Sequence, residues 1–305
     1  MTLALLIPGG TGQLGHELAA RAPSGAQVQA PGSVDLDITN AGAVVEAVKT
    51  LASAARSADL PPVVVNAAAY TAVDAAESDA NRAFAVNADG PRMLAAACSA
   101  HGVPLVHVST DYVFPGDADR PYATDAALGP HSVYGVTKAA GEEAVLGSGA
   151  RAWVVRTSWV YGAHGKNFVK TIAGLASSRT ELSVVDDQRG APTWARDLAD
   201  GLLELAGIVA AGKEPPPVLH ATAGGDTTWC GFARAIFEEL GLDPARVKPS
   251  TTAENPRPAA RPAYSVLSGE EWRTAGLTPL RSWRAALTAA FAADGVAFRA
   301  GQSQS

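Results

Sequence analysis

Tyr134 and Lys138 close the run Tyr-Gly-Val-Thr-Lys, a spacing that puts a phenol and an ammonium on one face of a helix, about a turn apart. A tyrosine titrates near pH 10 and an adjacent cation favours the phenolate, so the pair reads as a general acid tuned toward neutrality by Lys138. The ammonium also has the reach and the donors to hold a ribose hydroxyl. A second group, Ser109, Thr110, Asp111 and Tyr112, directly follows the apolar run at 105–108. Open α/β sheets bind ligands at the carboxyl ends of their strands, and a hydroxyl there can donate to a carbonyl or to the oxyanion it becomes. Thr110 is the expected donor, while Asp111 reads either as an acceptor for a substrate hydroxyl or as a turn former. Trp159 offers an amphipathic plate to a ring face. Val73 reads equally as pocket lining or as core. The six histidines show no HxxxH or HExxH spacing, so no metal site is expected.

Such groups need a frame, and the first half of the chain supplies a candidate. Short apolar or β-branched runs at 3–7, 28–30, 63–66, 105–109 and 153–156 alternate with Ala-rich helical stretches at 13–21, 41–57, 80–101 and 134–146. This is the pattern of βαβ units and a parallel sheet, and the unbroken run Val63, Val64, Val65 suits a central strand buried on both faces. The first strand runs into Gly9, Gly12 and Gly15. Glycines at that junction permit a tight turn, backbone approach to a pyrophosphate, and close packing of helix on strand. The expectation is an α/β doubly wound parallel sheet of the Rossmann kind over 1–160. A smaller C-terminal substrate lobe follows over 161–305, interleaved with the last sheet elements, where loops lengthen and prolines punctuate the chain at 215–217 and 254–262. The second strand ends in Ala30, Pro31, Gly32 and Ser33. These give neither the acid that favours NAD nor the arginine that pairs a 2′-phosphate, so both NADH and NADPH remain open on physical grounds.

With 305 residues the chain can bury a core without staples. Two distant cysteines, Cys98 and Cys230, read as free thiols in a reducing compartment. A formal charge of −6 removes the driving force for binding nucleic-acid duplexes, though helix ends and single arginines suffice for a free nucleotide. The N-terminus lacks a basic start, and its apolar run is too short for a signal sequence or a membrane span. The expected location is cytoplasmic, with no membrane partner.

These motifs together resemble the extended short-chain dehydrogenase/reductases and, within them, the dTDP-4-dehydrorhamnose reductase family. The resemblance is carried by 12–15 (Gly-Gln-Leu-Gly), 66–74 (Asn-Ala-Ala-Ala-Tyr-Thr-Ala-Val-Asp), 86–88 (Val-Asn-Ala) and 109–114 (Ser-Thr-Asp-Tyr-Val-Phe). It continues through 134–138, 156–162 (Arg-Thr-Ser-Trp-Val-Tyr-Gly), 167–168 (Asn-Phe) and 185–193 (Val-Asp-Asp-Gln-Arg-Gly-Ala-Pro-Thr). It implies Thr110, Tyr134 and Lys138 as a catalytic triad. It implies cofactor contacts from Gly12, Gln13 and Leu14, from Asp37 and Ile38, and from Ala69, Tyr70 and Thr71. Substrate contacts are implied for Thr110, Asp111 and Trp159. The implied reaction reduces the 4-keto group of dTDP-4-dehydro-L-rhamnose to dTDP-L-rhamnose, with NADPH as the favoured donor. Part of that family forms a magnesium-bridged dimer on three glutamates. Glu17 matches the first, but Arg196 and Ala289 align with the others, so no metal is expected, and a monomer or a dimer without a metal bridge is. Tyr264 stands where the family often has asparagine. Two rivals remain: a nucleotide-sugar dehydratase or epimerase of the same fold, and a non-catalytic dinucleotide-binding regulatory subunit.

Overall fold

The computed structural model describes residues 2–299. Six parallel strands form the central sheet: β1 Ala4–Leu6, β2 Gln27–Gln29, β3 Pro62–Asn66, β4 Leu105–Thr110, β5 Ala152–Thr157 and β6 Val218–His220. Their spatial order is β6-β5-β4-β3-β1-β2. Strand order therefore reverses between β1 and β3, and the crevice outside their carboxyl ends is the place where such sheets bind ligands.

Alternation along each strand builds the two layers. Leu3, Leu5, Ile7, Val63, Val65 and Val106 face helices α1 (Gln13–Arg21) and, later in the chain, Ala195–Ala210. Ala4, Leu6, Val64, Leu105 and Val154 face α2 (Ala41–Ala58), α3 (Gly90–His101) and α4 (Val133–Leu146). The helix Ala195–Ala210 and strand β6 lie well past residue 160, as the last sheet elements expected to interleave with the C-terminal lobe, with bounds the sequence did not give. We label that helix α6, with α5 at Phe168–Ser178, α7 at Trp229–Glu239 and α8 at Trp283–Arg299. α5, α7 and α8 close over a separate aromatic-rich core of Tyr161, Ile172, Phe232, Ile236, Phe237 and Phe291.

The expected helix over 80–101 is interrupted. A short α turn, Ala80–Phe84, passes into a π-helical turn, Ala85–Asp89, before α3 begins. The buried Asn87 explains it: its amide accepts from Tyr70 N (2.8 Å) and donates to Tyr70 O (3.1 Å) and Thr137 Oγ1 (3.1 Å). Single π turns inside α-helices are frequent at functional sites, and this one carries the side chain that fixes Tyr70. Both cysteines are buried and unpaired. No described helix is long and apolar enough to cross a membrane.

Candidate active site

The glycine turn is shaped by backbone contact. Gly9 has φ +80°, and a Cβ there would fall 2.7 Å from the Ala68 backbone at the end of β3. One at Gly15 would lie 2.2 Å from Gly9 O, so α1 starts hard against the turn. Gly12 caps α1 without a side-chain hydrogen bond, leaving the first helical N–H groups free for an anion. Gln13 and Leu14 open that helix; Leu14 is core, and Gln13 accepts from Asn167 Nδ2 (3.0 Å), which also donates to Gly162 O (2.8 Å). A glycine turn, an uncapped helix start and a topological switch at one place fit a dinucleotide pyrophosphate.

Further along the same edge, Asn66 Oδ1 accepts from Ala68 N (3.1 Å), and Asn87 fixes the backbone of Tyr70 within the stretch containing Ala69 and Thr71. Asp37 is turned inward on its own loop: its carboxylate accepts from Thr39 N (2.9 Å) and Thr39 Oγ1 (2.8 Å), which hold its pKa below the usual value. Ile38 is buried in the core against Gly90, so only its backbone is available to a ligand.

Thr110, Tyr134 and Lys138 are brought together at the carboxyl end of β4. Ser132 caps α4 by accepting from Gly135 N (3.1 Å), which sets the phenol of Tyr134 in the first turn beside the Thr110 hydroxyl. Lys138, 1% exposed, donates to Val108 O (2.8 Å), two residues before Thr110. Thr110 Oγ1 donates to Asp111 Oδ1 (2.9 Å) and accepts from Tyr112 N (3.3 Å). Tyr70, Val73 and Tyr112 pack against the small apolar cluster of Ala76, Ala83 and Tyr134.

The electrostatics depart from the sequence expectation. Burial pushes the Tyr134 phenol up to about 12, opposed by the Thr110 hydroxyl and reinforced by Asp111. Lys138, expected to pull it down, spends its ammonium on the Val108 carbonyl instead. Burial also lowers Lys138 to about 8, against the pull of Glu142, and raises Asp111 to about 6, against the hydroxyls of Ser265 and Thr110. Neither Ser265 Oγ nor Asp111 Oδ2 has a partner of hydrogen-bond geometry among the described residues. A phenol held neutral is already in the protonation state a general acid requires.

Three polar supports were given no role by the sequence. Besides Asn87, Glu142 lies one turn beyond Lys138 and is bound in the core by Arg156 (2.7 Å), the two being 2% and 4% exposed. Arg156 also donates to Thr124 O (3.0 Å) and lies 3.3 Å from His220 Nε2. His107 is buried beside Lys138, its Nδ1 3.0 Å from Asn66 Nδ2, and burial keeps it neutral. The signal was present: Tyr134, Lys138 and Glu142 repeat at i, i+4 and i+8, a polar stripe on a helix that packs against the sheet.

Glu17 on α1 feels the carboxylate of Asp294, at the kink of α8. Burial and then Asp294 raise the Glu17 pKa, while Arg196, which lies over the Trp194 ring at 5.5 Å, lowers it without forming an ion pair among the described residues. No group of three or more His, Cys, Asp or Glu side chains suited to a metal occurs among the described residues.

Residues 2–295 match the family model described as the RmlD substrate binding domain. The chain belongs to this family. Family members of similar sequence include dTDP-4-dehydrorhamnose reductase of Streptomyces griseus, 50% identical over 94% of this chain and 93% of that one. dTDP-4-keto-6-deoxy-D-glucose reductase of Streptomyces niveus is 42% identical over 95% and 97%. Among solved structures, dTDP-4-dehydrorhamnose reductase of Bacillus anthracis in complex with NADP superposes with a TM-score of 0.87 at 34% identity, covering 96% of this chain and all of that one. The stretches 66–74, 86–88, 109–114 and 134–138, which carry the resemblance in the sequence, lie along the β3 and β4 edge described above.

Proposed function

We propose that this protein is an NADPH-dependent reductase that converts dTDP-4-dehydro-L-rhamnose to dTDP-L-rhamnose. The observation that carries the reading is the convergence of Thr110, the neutral Tyr134 phenol and buried Lys138 at the carboxyl end of β4, beside an uncapped glycine turn. When bound, the nicotinamide supplies hydride to the 4-keto carbon. Gly9, Gly12, Gln13, Leu14 and Gly15 hold the pyrophosphate. Asp37, the Ile38 backbone, Ala69, Tyr70 and Thr71 line the adenosine and nicotinamide path. Lys138 holds the ribose. When substrate binds, the Thr110 hydroxyl turns its one hydrogen from Asp111 Oδ1 to the keto oxygen, and Tyr134 delivers the proton as negative charge develops there. Asp111, Val73 and Trp159 contact the sugar nucleotide. We assign the dinucleotide to residues 1–160, with α6 and β6 completing that layer, and the sugar nucleotide to the lobe over 161–305. The protein is read as cytoplasmic, and as a monomer or a dimer without a metal bridge.

A dehydratase of the same fold would need an Asp-Glu pair after the threonine to eliminate water, and Asp111 is followed by Tyr112. A regulatory subunit would have no need of a buried lysine beneath a neutral phenol. The test offers dTDP-4-dehydro-L-rhamnose, dTDP-4-dehydro-6-deoxy-D-glucose and dTDP-glucose separately with NADPH and with NAD⁺. The reading expects NADPH consumption with the first, at a higher kcat/KM than with the second, and no dehydration of the third. Faster reduction of the second sugar would reassign the substrate, and elimination from dTDP-glucose would reassign the reaction.

A further inference from the structure

We propose that Trp229 and the segment 185–193 form a clamp that positions Trp159, and that this clamp sets affinity for the sugar nucleotide. The inference rests on the reading of Trp159 as a substrate contact. Trp159 has φ +47°, a left-handed backbone that a bulky side chain adopts only where its surroundings enforce it, most often at ligand sites. The enforcement comes from one segment. Ser158 Oγ donates to Ala191 O (2.7 Å), Thr193 N donates to Trp159 O (3.2 Å), and Val160 and Tyr161 pair with Thr193 and Trp194.

The ring is held as firmly as the backbone. Trp229 stacks on it with centroids 3.5 Å apart and planes 6° from parallel. Gly190 lies against the same ring, where a Cβ would fall 2.5 Å from Trp159 Cε2. Trp229 is itself fixed as the first residue of α7. Thr228 caps that helix through Gly231 N (3.0 Å), its hydroxyl bonds Asp186, and Thr227 and Thr228 pair antiparallel with Gly190 and Arg189. The segment then reaches the catalytic edge, because Ser265 N donates to Arg189 O (2.8 Å) and Ser265 neighbours Asp111. Trp159 stays half-buried despite these contacts, which suits a ring held ready at a cleft wall better than one packed for stability alone.

The test compares Trp159→Ala, Trp229→Ala, Trp229→Phe and Gly190→Ala by steady-state kinetics, with thermal melts to confirm folding. W229A and G190A are expected to raise KM for dTDP-4-dehydro-L-rhamnose by about tenfold with kcat and KM for NADPH near wild type, the pattern of lost uniform binding. W229F, which keeps an aromatic stack, should restore most of the affinity. W229A combined with W159A should add little to W159A alone, because the clamp acts through that ring. If W159A raises KM while folded W229A and G190A do not, the clamp is refuted and the substrate contact stands. If W159A leaves KM unchanged, the substrate contact falls and the clamp with it.

Discussion

At the scale of single residues, the proposed chemistry rests on two buried groups with opposite shifts. Tyr134 is held protonated by burial, so Tyr134→Phe removes the proton donor and little else. Turnover should fall by roughly 10²-fold or more, with NADPH affinity nearly intact; near wild-type turnover would remove Tyr134 from the mechanism. Lys138 is poised lower than an ordinary lysine, at about 8 rather than 10.5. The unfolded chain therefore binds the extra proton between those values, and the burial penalty, full below pH 8, is relieved as pH rises to 10.5. Function should run the other way. If the ammonium holds the ribose, NADPH affinity stays level below about pH 7 and weakens past pH 8 by up to about tenfold per unit, whereas Lys138→Met is weak and flat with pH. Titration of NADPH binding across pH checks this, and a wild-type profile as flat as the variant's would contradict it. The placement of Tyr134 and Lys138 on one helix was legible from their spacing behind the glycine fingerprint. Their electrostatics were not, because spacing on a helix does not reveal that Val108 O is the nearer acceptor.

Elements hold those residues through buried polar groups. Arg156 on β5 and Glu142 lock α4 to the sheet, with Thr124 O and His220 completing the arginine's surroundings. Glu142→Gln leaves a buried guanidinium uncompensated, so urea denaturation should show a loss of about 3–5 kcal/mol, and the double change to methionine at both positions should recover much of it. Because the Glu142 charge raises the Lys138 pKa, E142Q should also move the decline in NADPH affinity to lower pH. A single variant as stable as wild type, or an unmoved profile, would separate the pair from the site. Strands β1 to β5 and helices α1, α2 and α4 were legible within a residue or two, since alternating and continuous apolar runs record burial directly. The π turn at Asn87 was not, because the bonds that demand it come from Tyr70 and Thr137. α6 and β6 were expected past residue 160 without bounds, because loops and prolines around them masked a helix whose apolar face packs on α1 and the sheet.

For the whole molecule, the sheet's reversal between β1 and β3 puts the glycine turn and the β4 edge on one side, and the segment 185–193 ties the C-terminal lobe to that side. The same scale governs assembly. Glu17 faces Arg196 and Asp294 rather than further glutamates, and an arginine beside a carboxylate leaves little call for a hard divalent cation. Solution mass and turnover should therefore be unchanged by EDTA; dissociation or lost activity, restored by magnesium, would contradict this. The direct test of the central claim uses NADPH carrying deuterium at the transferable position, incubated with dTDP-4-dehydro-L-rhamnose. The account predicts dTDP-L-rhamnose with deuterium at C4, formed at least roughly 10²-fold more slowly by Tyr134→Phe. Unlabelled product, deuterium at another carbon, or no product from the wild-type protein would contradict it.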